Sequence, residues 1–368
     1  MPTIAPAVTT RQAPVASLSF TDDFSAFRRI YKTARASAAN GGNPLESFLA
    51  APSAAPILTT GSYGTVEPMF GIEIEFDGPD SGYLESARLA GELCARMFTE
   101  YNYRMDYHSL SHETQTWRYE DDMTVTGGEV ISPILHDTPR DWDSLGQVID
   151  IITAHGGNGS SRNAGGHIHL DTSSFGNDIR VWQRFFTIYH AFDDVITRLA
   201  SNPFRNGRHR GYNYTHLSTP YTYPHDINAA AFRNMINHYS DRGSINTSSV
   251  SPVTGNGHIE FRIWDGSADM AVIQTHVKIV CAIRDAAIFN EGRHDEIMAL
   301  PREDRGKHYS ERRTDHEHAN TNLSGEHWQD DTKSFRQFCD LLFTTRSDKE
   351  QMATLFAMTK WPRRSYHR

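Results

Sequence analysis

Cysteine, basic excess and long apolar runs are all scarce in this chain. Three cysteines, Cys94, Cys281 and Cys339, stand among 368 residues. Their number is odd, their spacings are long, and no C-x-x-C occurs. That excludes a disulfide scaffold and a cysteine zinc site, and it fits a reducing compartment. Lys and Arg total 36 against 45 Asp and Glu, a formal net charge of −9. Polyanion binding needs a basic surface, so nucleic acid is not an expected partner. Acidity disfavours anionic membranes as well. The longest apolar run, Ala271 to Phe289, is interrupted by His276, Lys278 and Arg284. A membrane helix needs roughly 20 uninterrupted apolar residues. Met1 to Ser19 carries one basic residue, Arg11, and no unbroken apolar stretch, so no secretory leader is expected. Together these absences predict a cytoplasmic protein.

What is present is a core of ordinary composition, with 38% hydrophobic and 22% charged residues. Residues 1–65 read as an N-terminal arm, because Ala, Ser, Pro, Thr and Gly dominate Asn40 to Gly64. One helix is expected within it, from the spacing of Phe24, Phe27, Ile30 and Tyr31. Residues 66–300 carry the regular patterning of a catalytic core. Residues 301–368 read as a polar loop, Arg302 to Asp331, followed by closing helices over Ser334 to Phe343 and Lys349 to Met358. Within the core, apolar periodicity predicts helices at Gly82–Tyr103, Trp142–His155, Asp178–Leu199, Ile227–Tyr239 and Met270–Phe289. Alternation predicts strands at Pro68–Phe76, Gly128–Ser132, Gly166–Leu170 and His258–Trp264.

The polar positions of these strands carry the chemistry. Residues i and i+2 of a strand share a face. Glu73 and Glu75 therefore share one face, opposite Ile72, Ile74 and Phe76. His167 and His169 share another, opposite Ile168 and Leu170. His258, Glu260 and Arg262 share a third, opposite Ile259, Phe261, Ile263 and Trp264. A merely solvated strand face favours Thr, Ser and Lys. Here only Glu, His and Arg occur, and paired glutamates repel unless a cation lies between them. With Glu129 on a fourth strand, these residues read as a cation cage. Carboxylates and imidazoles without thiolate suit Mg²⁺ or Mn²⁺. Arg262 within such a cage makes sense where an anion also enters, and phosphate is the natural one.

Four segments, taken together, resemble one family. Gly71-Ile72-Glu73-Ile74-Glu75-Phe76 is similar to the opening strand of the amidoligases. Gly127-Gly128-Glu129-Val130-Ile131-Ser132-Pro133, with Asp121-Asp122 upstream, resembles their second motif. Gly165-Gly166-His167-Ile168-His169-Leu170-Asp171 resembles their G-x-H-x-H segment, and His258-Ile259-Glu260-Phe261-Arg262 their closing strand. The segments occur in the family's order. The family belongs to the superfamily of glutamine synthetase and glutamate–cysteine ligase.

The resemblance implies an α+β, glutamine-synthetase-like catalytic fold: a curved, mostly antiparallel sheet with helices on its convex side. It implies an ATP- and Mg²⁺- (or Mn²⁺-) dependent ligase that joins a carboxylate to an amine through an acyl phosphate. Glu73, His167 and Glu260 would hold the cation that bridges the ATP phosphates. Glu75 and Glu129 would hold one nearer the carboxylate substrate, and Arg262 would stabilise the transferring phosphoryl group. His169 lies on the same face, as a ligand or as a group that orients one. Small-molecule or peptide acids and amines are the expected partners, with a homo-oligomer open.

Four further readings come from the loops and the open alternatives. Asn202 to Tyr223 interleaves Arg, Gly and Tyr, and within it Arg208 and Arg210 are expected to bind ATP phosphate or substrate carboxylate. The Gly-rich run His155 to Gly166 lacks G-K-[ST] and precedes a strand, so it reads as a connection and not as a phosphate loop. From the residues alone, a guanidino-type kinase stays open. So does a metal-dependent hydrolase or oxygenase built on His167, His169 and Glu260.

Overall fold

The polar-faced strands form the middle of one mixed sheet. The computed structural model describes residues 18–49, 56–58, 67–78, 83–101, 104–107, 116–205, 218–223, 228–240, 243–301 and 332–359. In chain order the strands are β1 (Met69–Phe76), β2 (Arg104–Tyr107), β3 (Thr116–Glu120), β4 (Gly128–Ile131), β5 (Leu135–His136), β6 (Gly165–Asp171), β7 (Ile245–Asn246) and β8 (His258–Asp265). Across the sheet they run β2-β3-β4-β1-β6-β8-β7, with β5 also pairing β1. Every pair is antiparallel except β2 with β3. The α+β, mostly antiparallel expectation holds. The sheet itself is open and uncurled where a curved one was expected, and β2 and β7, at opposite ends of the order, do not pair.

One face of the sheet is apolar and closed. Phe70, Ile72, Ile74, Val130, Ile168, Leu170, Ile259 and Phe261 all point there and are at most 4% exposed. Burying side chains of this size stabilises by about 1.5–3 kcal/mol each. Helix α3 (Pro139–Ala154) brings Trp142 against Phe70, with ring centroids 5.3 Å apart. Helix α4 (Ile179–Ala191) brings Phe185 and Tyr189 against Phe261, each at 6.0 Å. The other helices of the core are α2 (Tyr83–Tyr101), α5 (Asp193–Leu199), α6 (Ala229–His238), α7 (Met270–Phe289) and α8 (His294–Met298). All the polar positions of the motifs are thereby left on the opposite face.

The caps explain where these helices begin. The Thr138 side chain accepts from Asp141 N–H, and Pro139 sits in the first turn, so α3 starts three residues before its apolar stripe at Trp142. Asn228 caps α6, and Asp269 caps α7 by accepting from Ala271 and Val272. Expected as one helix, Asp178–Leu199 is two. Phe192 leaves helical geometry at φ −123° and ψ 20°, and its carbonyl accepts from Ile196 N–H. Asp193 and Asp194 then open α5, where acidic residues favour a helix start.

α7 is buried almost all round, and its interrupting polar residues are paired. Lys278 Nζ lies 2.8 Å from Asp348 Oδ1, and Arg284 contacts Asp285. Among the described residues no helix is long and apolar enough to cross a membrane.

A second layer of helices brings the first and last described segments together. α1 (Phe24–Ala39) packs on α9 (Lys333–Leu342) and α10 (Arg346–Met358), with Phe27 5.5 Å from Phe335 and 6.3 Å from Phe356. The Asp340 carboxylate accepts from Ser19 Oγ, Phe20 N–H and Thr21 N–H at 3.0, 3.0 and 2.7 Å. Lys349 Nζ donates to the same carboxylate at 2.8 Å and to Leu18 O at 2.6 Å. Residues 302–331, expected to be a polar excursion, lie outside the described residues.

Candidate active site

Strand register brings the polar residues together. Directly opposite residues of an antiparallel pair share a face, with Cβ atoms about 4.5–5.5 Å apart. Glu73 is opposite His167, Glu75 opposite Glu129, and Glu129 opposite Glu120. His169 is opposite Gly71 on one side and Glu260 on the other, and Glu260 is opposite Asn246. A Cβ at Gly71 would lie 3.4 Å from His169 Cβ, in ordinary contact with it.

At the centre is Glu73. His169 Nε2 donates to Glu73 Oε1 at 2.7 Å, and His167 Nδ1 donates to Glu73 Oε2. The same His167 nitrogen lies 3.3 Å from Glu260 Oε1, while His167 Nε2 lies 3.8 Å from Glu75 Oε1. Ligand atoms of Glu73, His167 and Glu260 all fall within 4.8 Å of one another. Arg262 NH1 donates to Glu260 Oε1, and Asn246 Nδ2 donates to Glu260 Oε2 at 2.9 Å. Glu75, 4% exposed, accepts from the Gly165 N–H at 2.8 Å.

The electrostatics reflect crowding of like charge. Burial pushes the Glu129 carboxyl up, and the neighbouring Glu73, Glu75 and Asp122 push it further, to about 10. Burial also opposes ionisation of Glu73, but the charge and hydrogen bond of His167, with those of His169, hold it well below the usual carboxylate range. His167 itself is disfavoured as a cation by burial, yet Glu73 and Glu260 raise its pKa. His258, packed edge-on to His169 at 4.9 Å, is lowered by burial and by His169. Clustered carboxylates, one imidazole within ligand distance and no thiolate are a donor set that fits a hard divalent cation.

Of the expected site residues, Glu73, Glu75, Glu129, His167, His169, Glu260 and Arg262 all lie on this one face. Arg208 and Arg210 lie outside the described residues. Glu120, which the motifs did not include, stands beside Glu129 and is paired with Arg118 at 3.0 Å. Sequence reasoning missed Asn246, whose two-residue strand is too short to show a period. A bulge in β8 explains the neighbouring Ile263 and Trp264. Between Gly166↔Trp264 and Ile168↔Phe261, two residues of β8 face one of β6. Ile263 and Trp264 are thereby both buried, and Arg262 keeps the polar face. The Gly-rich run is a connection, as expected. It is pinned by Asp77 pairing with Asn158 and by the Gly165 bond to Glu75.

A family model described as "Putative amidoligase enzyme" matches residues 67–283, more than half of the chain. The chain belongs to the amidoligase family. The matched span runs from the residues before β1 into α7 and contains all four motif strands. Family membership supports an enzyme that forms amide bonds. No curated protein matches the chain in sequence.

Proposed function

We propose that this amidoligase is an ATP- and Mg²⁺-dependent carboxylate–amine ligase working through an acyl phosphate. The observation that carries the reading is the meeting of Glu73, His167 and Glu260, within 4.8 Å of one another, beside Arg262 on the polar sheet face. We also take this sheet as a glutamine-synthetase-like catalytic sheet. In support, the four motif strands are consecutive neighbours, β4-β1-β6-β8.

The chemistry requires activation, because a carboxylate oxygen is not a leaving group at neutral pH. In the proposed reaction a carboxylate oxygen attacks the γ-phosphorus of ATP, and the bond to the β–γ bridging oxygen breaks, releasing ADP. An amine then attacks the acyl carbon, phosphate leaves, and the amine gives up a proton. Phosphoryl transfer asks the protein for positioning and charge neutralisation. Glu73, His167 and Glu260 would hold one divalent cation, and Glu75 with Glu129 a second. Such cations, when bound, neutralise phosphate charge and hold its oxygens in place.

The chain's own groups do the rest. Glu260 holds the Arg262 guanidinium on the polar face, where it can donate to phosphoryl oxygens as charge develops. His169 fixes one oxygen of Glu73 and leaves His167 to the other. The Gly165 N–H fixes Glu75. ATP, Mg²⁺ and hydroxylamine, incubated with the enzyme and a panel of carboxylic acids, test the reading. A hydroxamate with stoichiometric ADP supports it. ATP consumption without any acid, or hydrolysis without ATP, contradicts it.

A further inference from the structure

Asn246 sits at the outer strand of the sheet, beside the proposed cation ligands, and both ends of its side-chain amide are committed. Its Oδ1 accepts from Ser248 N–H at 2.9 Å. A backbone N–H can only donate, so the amide's orientation is settled, and Nδ2 must face Glu260. Nδ2 donates to Glu260 Oε2 at 2.9 Å. The other oxygen, Oε1, is the one near His167 Nδ1 and Arg262 NH1.

The platform under Asn246 is rigid. Ile245 is fully buried, and Thr247 N–H donates to Tyr239 O at 2.8 Å. Thr247 Oγ1 donates to Ile236 O at 2.6 Å, which ties β7 to α6. Arg262 N–H donates to Ser244 O at 3.0 Å, which ties β7 to β8. Such anchoring is more than a two-residue edge strand needs for pairing alone.

We propose that Asn246 is a positioning residue that occupies Glu260 Oε2 and thereby presents Oε1 alone to the cation. The inference rests on the cation reading above. Without the amide, Glu260 is free to rotate and to share both oxygens with Arg262 in a bidentate pair, which would withdraw it from the cation. Partners that orient a ligand in this way typically change metal affinity by about 10- to 100-fold when removed.

The test is Mn²⁺ binding to nucleotide-free protein, measured by electron paramagnetic resonance, with thermal melting of the cation-free protein alongside. Asn246→Ala removes the donor. Asn246→Ala is expected to bind Mn²⁺ about 10- to 100-fold more weakly, with only the small drop in cation-free melting that loss of the Ser248 and Glu260 bonds brings. Asn246→Gln, which keeps an amide donor, is expected to recover part of the affinity. If Asn246→Ala binds Mn²⁺ as tightly as the unmodified protein, the positioning role is refuted while the cation site stands. If the unmodified protein binds no Mn²⁺, the cation reading falls, and this role falls with it.

Discussion

Replacing Asp340 by Asn should loosen the tie between the chain's first described residues and its last helices. One carboxylate oxygen accepts from Ser19 Oγ at 3.0 Å and Thr21 N–H at 2.7 Å. The other accepts from Phe20 N–H at 3.0 Å and Lys349 Nζ at 2.8 Å. An asparagine keeps one acceptor oxygen, so one of these pairs faces an NH₂ group and is lost. Lys349, with its side chain 3% exposed, also loses its charged partner. Hydrogen bonds to charged groups contribute about 1.5–3 kcal/mol each and are not additive, which puts the net loss at about 2–4 kcal/mol. Urea unfolding at pH 7 measures it.

The pH dependence follows from the same group. Burial raises the Asp340 pKa, but the Lys349, Thr21 and Phe20 hydrogen bonds outweigh it, and the folded carboxyl titrates lower than usual. A depressed carboxylate stabilises above its unfolded pKa, and that stability is lost as pH falls through the folded value. The difference between the native protein and Asp340→Asn should therefore be full above about pH 5 and shrink below about pH 4. Equal stabilities at pH 7 would refute the reasoning. Turnover should be unaffected, because the tie lies among the helices and not on the sheet's polar face.

Other consequences are equally direct. Gly165→Ala would place a Cβ 3.2 Å from Glu75 Oε1, so it should displace that carboxylate and raise the Mg²⁺ concentration needed for activity. Gly146→Ala, within α3 and with nothing inside 4 Å of the new Cβ, should instead stabilise by about 0.5–1 kcal/mol in thermal or urea unfolding. Lys278→Met leaves Asp348 buried without its cation and should cost about 3–5 kcal/mol, with Lys278→Met/Asp348→Leu recovering much of it in the same assay. Burial pushes the Cys281 thiol up to about 12 and the Cys339 thiol well above its usual value, so both should react with a disulfide reagent only after unfolding.

Alternation made the centre of the site legible and its edges not. β1, β6 and β8 are long enough for Glu73, Glu75, His167, His169, Glu260 and Arg262 to declare a common polarity, and Glu129 shared their residue type. Pairing itself is not written in a period. That Glu73 faces His167, or that Glu120 joins the Glu75–Glu129 row, follows from strand order and register. β5 and β7 have two residues each, so neither they nor Asn246 could show a pattern. The bulge at Arg262 and Ile263 breaks strict alternation, and only the pairing with β6 reveals it. The division at Phe192 was hidden because the apolar stripe of Val181, Phe185 and Ile188 continues in phase into Val195 and Leu199.

The central claim is that the sheet's acidic face takes ATP through divalent cations. Equilibrium dialysis of labelled ATP, with Mg²⁺ or Mn²⁺ and then with excess EDTA, tests it most directly. Glu73, held ionised by His167 and His169, repels a polyanion unless cations intervene. Binding should therefore appear with the metal, vanish with EDTA, and fall sharply in Glu73→Gln and Glu260→Gln. ATP binding that survives EDTA, or that both variants retain in full, would contradict the account.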